Sequence, residues 1–279
     1  MSNYFEYKDK LIIHPGYYIK EIIDELGLTQ EDFAKRLDTT PKNLSLLIRG
    51  EQSLSVDIAY KLSQMLGTTM NYWLNLQNAY DTQMAQIKAE EDLELERRIF
   101  SYLSYSYFTD NFDLPAEDTD KDKQIKKVRE FLNLSSLSLL TKRDISTPLR
   151  ESAEDTSEKD IVLSNTMVQL AVNQALKVSP PKYDKRKLST SIDYVINSRK
   201  GDDLQYAELQ DILFESGVVL EATPNIKGAK VESASKKLEG KVLLMINDKI
   251  VSTKGFLSAI TKEVKNVLNS DYGMTLKQR

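Results

Sequence analysis

Residues 14–80 read HPGYYIKEIIDELGLTQEDFAKRLDTTPKNLSLLIRGEQSLSVDIAYKLSQMLGTTMNYWLNLQNAY, a series of short amphipathic segments separated by helix-ending signals. Apolar residues recur at helical spacing within each segment, as expected for helices with one buried face. Thr29, Thr40 and Ser55 stand where N-capping side chains are needed, and glycines follow several of the segments. The pattern predicts five helices, at about 17–26, 30–37, 41–49, 56–66 and 70–80.

The second and third of these helices have the arrangement of a helix-turn-helix. A turn of three to four residues joins them, and the positions that would face inward are small or apolar: Ala34, Leu37, Leu44 and Leu47. In this motif the N-terminal residues of the second helix contact base edges in the major groove. Periodicity alone also fits a helical bundle with an ordinary polar surface.

The polar residues of this helix pair suit DNA contacts. Asparagine can pair with adenine, lysine or arginine can pair with guanine or phosphate, and Gln30 at a helix N-terminus can reach a phosphate. We therefore predict a DNA-binding site made of Gln30, Lys35, Thr40, Lys42, Asn43, Ser45 and Arg49. Arg36 and Lys61 would add to a local basic face.

The distribution of charge is unusual for a DNA-binding protein. The net charge is −2 in residues 1–80, −8 in residues 81–120 and +6 in residues 121–279. DNA-binding domains are usually more basic than the first segment, so only a local basic face can serve there. The +6 segment is consistent with an acidic partner surface or with packing against the acidic stretch.

The bulk composition is that of a soluble globular protein. The 279 residues include 41% hydrophobic and 29% charged residues, and the length favours two domains. The absence of cysteine excludes disulfides, thiolate zinc sites and cysteine nucleophiles. No apolar run approaches the ~20 residues needed to cross a bilayer, and the start, MSNYFEYKDK, lacks signal-peptide features. We expect a cytoplasmic protein with no membrane contact.

Residues 14–80 closely resemble the HigA branch of the XRE-type helix-turn-helix family. The resemblance is carried by His14-Pro15-Gly16, the run LTQEDFAKRL, Gly50 and the run Tyr72-Trp73-Leu74-Asn75-Leu76-Gln77. It departs from the family at Pro41 and Leu46. The resemblance implies DNA binding, usually as a homodimer on the protein's own operator, and repression of a toxin–antitoxin operon. It also assigns His14 to the motif that begins the first helix rather than to catalysis.

The rest of the chain predicts further helices and a small β region. We expect helix to continue over 81–105, a polar linker at 109–124 and an exposed loop at 150–160. Helices are expected at 125–140, 161–177, 185–200, 204–216 and 254–268, and strands at 217–220 and 241–246. The predicted fold is mainly α: a five-helix DNA-binding domain (1–80), an acidic helix and linker (81–124), then a helical region with a small α+β domain (125–279).

The last part more loosely resembles the ImmA/IrrE metallopeptidase-like domain. The runs involved are PPKYDKRKLSTSIDYVINSR, GVVLEATPNIKGAKVESA, KVLLMIND and LSAITKEVKNVLNSDYG. Active relatives have HExxH on a helix, where two histidines bind zinc and the glutamate is the general base. Here Lys262-Glu263-Val264-Lys265-Asn266 stands in its place, and the chain's one histidine is His14. We therefore predict no catalytic residue, no metal and no cofactor, and expect Glu263 to be a solvated carboxylate beside Lys262.

Three functions remain at this point. The favoured hypothesis is a non-enzymatic repressor and antitoxin that binds operator DNA and a toxin encoded by the adjacent gene. A prophage or stress regulator without a toxin partner is the alternative, and a metallopeptidase that cleaves a repressor is the third.

Overall fold

The chain divides into two compact units, Met1–Glu91 and Asp92–Arg279, in a computed structural model. The structure describes residues 4–8, 10–116, 119–150, 156–198, 205–253 and 255–277. Helix is the main secondary structure, with strands concentrated near the C-terminus. No helix in the described ranges is long and apolar enough to span a membrane.

The first unit begins with an antiparallel hairpin that the sequence pattern does not predict. Its strands are β1 (Tyr4–Tyr7) and β2 (Lys10–Ile13), and Phe5 lies opposite the buried Ile12. Five helices follow in the predicted order: α1 (Pro15–Glu25), α2 (Gln30–Arg36), α3 (Pro41–Ile48), α4 (Val56–Leu66) and α5, which begins at Met70.

The capping predictions for these helices are confirmed. The side chains of Thr29, Thr40 and Ser55 accept hydrogen bonds from the backbone N–H three residues ahead, which satisfies a donor that has no partner within the helix. Pro41 occupies the first turn of α3, and Gly27 follows α1 in the left-handed conformation. The core is also as predicted, with Phe33, Ala34, Leu37, Leu44, Leu47 and Trp73 all buried.

Helix α5 ends earlier than expected, and both ends of the predicted linker are helical. α5 spans Met70–Phe100, so the division between the two units falls within it. The predicted linker at 109–124 overlaps α6 (Tyr105–Phe112) and α7 (Lys121–Leu132), so the linker prediction is wrong for both its ends. Phe108, immediately before this stretch, is fully buried, and Phe112 and Leu114 within it pack against the second unit's core.

The second unit contains a four-stranded mixed sheet with helices on both faces. The strands are β3 (Val218–Thr223), β4 (Val231–Lys237), β5 (Val242–Asn247) and β6 (Gly273–Leu276), in the order β3-β5-β4-β6. β3 and β5 are parallel, and the other two pairs are antiparallel. The sequence predicts β3 and β5, whereas β4 and β6 are not predicted; β6 is a short segment with little apolar pattern.

Strand β5 explains the layering of this unit. Leu243 and Met245 point to one face, where helix α8 (Glu158–Leu176) packs, together with the end of α5 and with α6 and α7. Val242, Leu244 and Ile246 point to the other face, which is covered by α9 (Lys185–Ser198), α10 (Tyr206–Phe214) and, after the short α11 (Asp248–Val251), α12 (Phe256–Leu268). A strand buried on both faces is a continuous apolar run, as observed.

The helices expected in this unit differ from the structure mainly at their ends. The helix expected at 125–140 is divided into α7 and a 3₁₀ helix, Leu137–Thr141, because Asn133 adopts a left-handed conformation (φ 57°) that ends α7. α9 and α10 overlap the helices expected at 185–200 and 204–216. The end of the first and the start of the second lie outside the described residues.

The predicted exposed loop at 150–160 is only partly a loop. Residues 151–155 lie outside the described residues, and Glu158 already begins α8 behind a capping box of Ser157 and Asp160. Leu149 forms an isolated parallel bridge with Met274 in β6. Arg150, expected to be exposed, has a nearly buried side chain.

Candidate DNA-binding surface

Helices α2 and α3 meet through a tight turn. The backbone N–H of Thr39 donates to the Ala34 carbonyl, and Asp38 adopts a left-handed conformation (φ 52°), which short polar side chains tolerate. The Ala34 side chain is fully buried, and its small size allows the two helices to approach closely. The turn therefore fixes the direction in which α3 leaves α2.

The polar face of α3 is available to a ligand at its N-terminal half. Lys42 and Asn43 are exposed, whereas Ser45 and Leu46 are half-buried. The Thr40 hydroxyl accepts from the Asn43 backbone N–H (3.1 Å), so Thr40 orders the first turn of the helix. Gln30, at the start of α2, is also exposed. The start of the second helix is therefore accessible, and its contact with DNA stays a prediction.

The predicted basic face is more neutral than expected. Lys35 pairs with Glu31 at 2.9 Å, and Lys61 pairs with Asp57 and Asp38. Arg49 donates to both carboxylate oxygens of Glu51, and this hydrogen bonding lowers the pKa of the Glu51 carboxyl. Because these pairs are exposed, water and salt screen them and the cations can exchange partners. Lys42 has no ion pair within the described ranges, which leaves it as the freest cation of α3.

Gln77 is a further residue beside this surface that the sequence-based prediction of DNA-binding residues does not include. Its Oε1 accepts from the Leu54 backbone N–H at 2.8 Å, and its Nε2 donates to Asp81 at 2.8 Å. The side chain is buried, so it holds the loop that follows α3. The only sequence signal is its place at the end of the run YWLNLQ.

A buried ionic cluster occupies the second unit and corrects one prediction. Glu263 is 1% exposed, not solvated, and accepts from Arg150 at both oxygens: 2.6 Å to Oε1 and 2.9 Å to Oε2. Ser233 also donates to Glu263, at 2.8 Å. Arg150 further donates to Ser235 and Thr275 hydroxyls and to the Asp271 carbonyl.

The position of Glu263 follows from the apolar stripe of α12. Ile260, Val264 and Val267 are buried, and position 263 falls between them on the same face. That periodicity is visible in the sequence, but the partner Arg150 lies 113 positions away. Lys262 points to solvent and Asn266 is half-buried. The residues of this cluster do not fit a zinc site, and no group of three or more His, Asp or Glu side chains in the described part of the chain could hold a metal ion.

The arrangement of α2 and α3 defines the class of protein: a helix-turn-helix module that presents the start of its second helix. The helix-turn-helix family model matches residues 19–73. The chain is 35% identical over 85 residues to the HTH-type transcriptional regulator YddM of Escherichia coli (strain K12), which covers 30% of this chain and 88% of that protein. The chain belongs to the helix-turn-helix family.

Two further similarities concern antitoxins. Antitoxin HigA-1 of Vibrio cholerae is 29% identical over 86 residues, covering 31% of this chain and 81% of that protein. The solved structure of an addiction module antidote protein of a HigA family from Coxiella burnetii is 34% identical, covers 30% of this chain and 91% of that one, and gives a TM-score of 0.29. Each of these similarities covers about 30% of this chain.

Proposed function

We propose that this protein is a DNA-binding repressor and the antitoxin of a toxin–antitoxin module, which represses its own operon. The observation that carries the proposal is the capped helix α3 with its start exposed, within the segment that the helix-turn-helix model matches, together with the similarity to antitoxin HigA-1. Operator DNA is the first ligand, and a homodimer fits an operator with two half-sites. The prophage or stress regulator without a toxin partner is the alternative.

Helix α3 reads the operator in this proposal. Asn43 contacts a base edge, most simply adenine, and Lys42 contacts guanine or a phosphate, because both side chains are exposed beside the N-terminal end of the helix. Gln30, Lys35, Ser45 and Arg49 contact phosphates or flank those contacts, and Lys35 and Arg49 exchange their carboxylate partners for phosphate oxygens. Thr40 acts by ordering the first turn.

The second unit binds a protein partner rather than catalysing a reaction. Glu263 is the one residue of the HExxH-like run that matches a peptidase, and both of its oxygens are occupied by Arg150. A general base needs a free carboxylate within reach of a water molecule. The sheet of this unit is covered by helices on both faces, which is consistent with a degenerate peptidase-like domain that keeps its fold as a scaffold for binding the toxin.

The test is a gel-shift titration with a duplex covering the promoter upstream of the protein's own gene, at fixed salt. The variant Lys42→Ala/Asn43→Ala should bind about 5- to 150-fold more weakly for each base-edge interaction removed, since each is worth ~1–3 kcal/mol. Lys20→Ala, which removes an exposed lysine of α1, is the matched control and should bind like the wild type. Equal affinity of all three proteins would refute the role of α3.

The partner is tested separately, by co-purification of the full chain with the product of the adjacent gene. Stable association together with rescue of growth from that product supports the antitoxin. Operator binding without such a partner favours the regulator alternative.

A further inference from the structure

The single histidine of the chain caps the first helix from a buried position. His14 is 2% exposed, and its Nδ1 accepts a hydrogen bond from the Gly16 backbone N–H at 3.0 Å. A ring nitrogen accepts only when it carries no proton, so the observed cap requires neutral imidazole with its proton on Nε2. Protonation of Nδ1 would place its N–H against the Gly16 N–H, so the capping hydrogen bond would be lost.

This cap lies against the C-terminal end of the recognition helix α3. A Cβ on Gly16 would lie 2.0 Å from the Leu47 carbonyl oxygen, so the first turn of α1 approaches α3 as closely as glycine allows. Gly50, which follows α3, is also near: a Cβ there would lie 3.4 Å from His14 Cγ. Any displacement of the start of α1 is therefore transmitted to the end of α3.

Helix α5 closes the other side of the histidine. The Tyr80 ring meets the imidazole edge-to-face, with centroids 4.8 Å apart. Asp81 follows Tyr80 and accepts from Gln77, whose other end holds the Leu54 N–H in the loop after α3. His14 and Gln77 thus brace the end of the recognition helix and its following loop from two directions.

The charges around His14 set the sign of its response to pH. Burial lowers the pKa of His14, and the Asp81 carboxylate opposes this by raising it. From α5, Tyr80 and Asp81 are the titratable groups near the ring, and near Gly50 the Glu51 carboxylate forms an ion pair with Arg49. Because the pKa of His14 in the folded protein lies below its unfolded value of ~6.5, the unfolded chain takes up the proton first. Folding stability therefore falls as the pH drops from the unfolded pKa towards the folded pKa.

We propose that His14 is a positioning residue that makes DNA binding sensitive to pH: its protonation breaks the α1 cap, loosens the contact of α1 with the recognition helix and weakens binding of DNA. The inference rests on the proposed DNA binding. It concerns regulation of that site and assigns the lone histidine a role that the antitoxin function does not require. Gln77 is the second positioning residue, because it holds the loop that follows α3.

The experiment compares the wild type with His14→Asn, in the full chain, from pH 7.5 to pH 5.5 at constant ionic strength. Asparagine supplies a capping oxygen that does not titrate. Because the His14 pKa lies below its ordinary value, wild-type affinity for the promoter duplex should fall by about three- to tenfold across this range, and the affinity of His14→Asn should fall by less than about twofold. Because the chain has one histidine, one imidazole signal in the NMR spectrum reports its titration directly.

Two readouts keep this test separate from the proposed function. The pH dependence of the affinity loss should match the titration of the imidazole signal. Protection of the Gly16 amide from exchange, measured relative to the intrinsic exchange rate at each pH, should fall on protonation. Failure of both proteins to bind the duplex at pH 7.5 would refute the DNA-binding function, while the Gly16 exchange would still decide the role of His14. Parallel pH profiles of wild type and His14→Asn, or a Gly16 amide whose exchange ignores the imidazole titration, would overturn the inference.

Discussion

Replacing Glu263 with glutamine should strongly destabilise the second unit. The substitution keeps the size of the side chain but removes the charge that faces the nearly buried Arg150 guanidinium at 2.6 and 2.9 Å. Two charge-assisted hydrogen bonds, each worth about 1.5–3 kcal/mol, weaken together. Removing one partner of a buried ion pair costs about 3–5 kcal/mol. In Glu263→Gln, Arg150 would keep the more exposed Asp271, whose Oδ2 lies 3.4 Å from its Nε, as a weaker opposing charge.

The measurement is urea unfolding of wild type and Glu263→Gln, followed by circular dichroism, with calorimetry as a second probe. For a unit of this size, the Tm measured by calorimetry falls by about 2–4 °C for each kcal/mol of unfolding free energy that is lost. The Tm of the second unit should therefore be roughly 6–20 °C lower in Glu263→Gln than in the wild type. Lys262→Gln, at the exposed neighbouring position, is the matched control and should stay within about 0.5 kcal/mol of wild type.

A double-mutant cycle with Arg150→Met isolates the pair itself. The double variant Arg150→Met/Glu263→Gln should lose less stability than the two single losses added together, because neither charge remains buried alone. If Glu263→Gln behaves like Lys262→Gln, Glu263 is a solvated carboxylate after all and the buried cluster does not exist in solution.

Two further outcomes are expected. Thr40→Ala should lower the stability of the first unit by about 0.5–2 kcal/mol and weaken promoter binding, whereas Thr40→Ser, which retains the capping oxygen, should restore both; equal loss in the two variants would exclude capping as the cause. A fragment of residues 92–279 should unfold in a cooperative transition. A fragment of residues 121–279 should not, because it lacks Phe100 and Phe108 from the core. Equally cooperative transitions of the two fragments would show that α6 is dispensable.

The helices of the first unit could be predicted because their signals are local. A capping side chain such as Thr40 acts on an N–H three residues away, and each apolar stripe is read within one helix. The same applies to the exposed side of α3, because it follows from which of its positions are apolar; that these residues bind DNA stays a prediction. The sequence also shows acidic residues near Lys35, Arg49 and Lys61, but it does not show which carboxylate pairs with which cation.

The predictions failed where the relevant partner is distant in the sequence. The acidic stretch at 109–124 is predicted to be a polar linker, yet its Phe112 and Leu114 pack against the core of the second unit. The hairpin β1–β2 and strand β6 are each built from four-residue segments, too short for an alternating pattern to stand out.

Local sequence patterns are thus sufficient to predict the helix-turn-helix, the starts of its helices and the absence of the peptidase histidines. The environment of the ionisable groups is known from the folded arrangement alone. Glu263 is buried against Arg150 from 113 positions away, and His14 is enclosed by α5 and the end of α3. Burial and charge pairing depend on which elements pack together, and packing is decided by long-range contacts that no local pattern encodes.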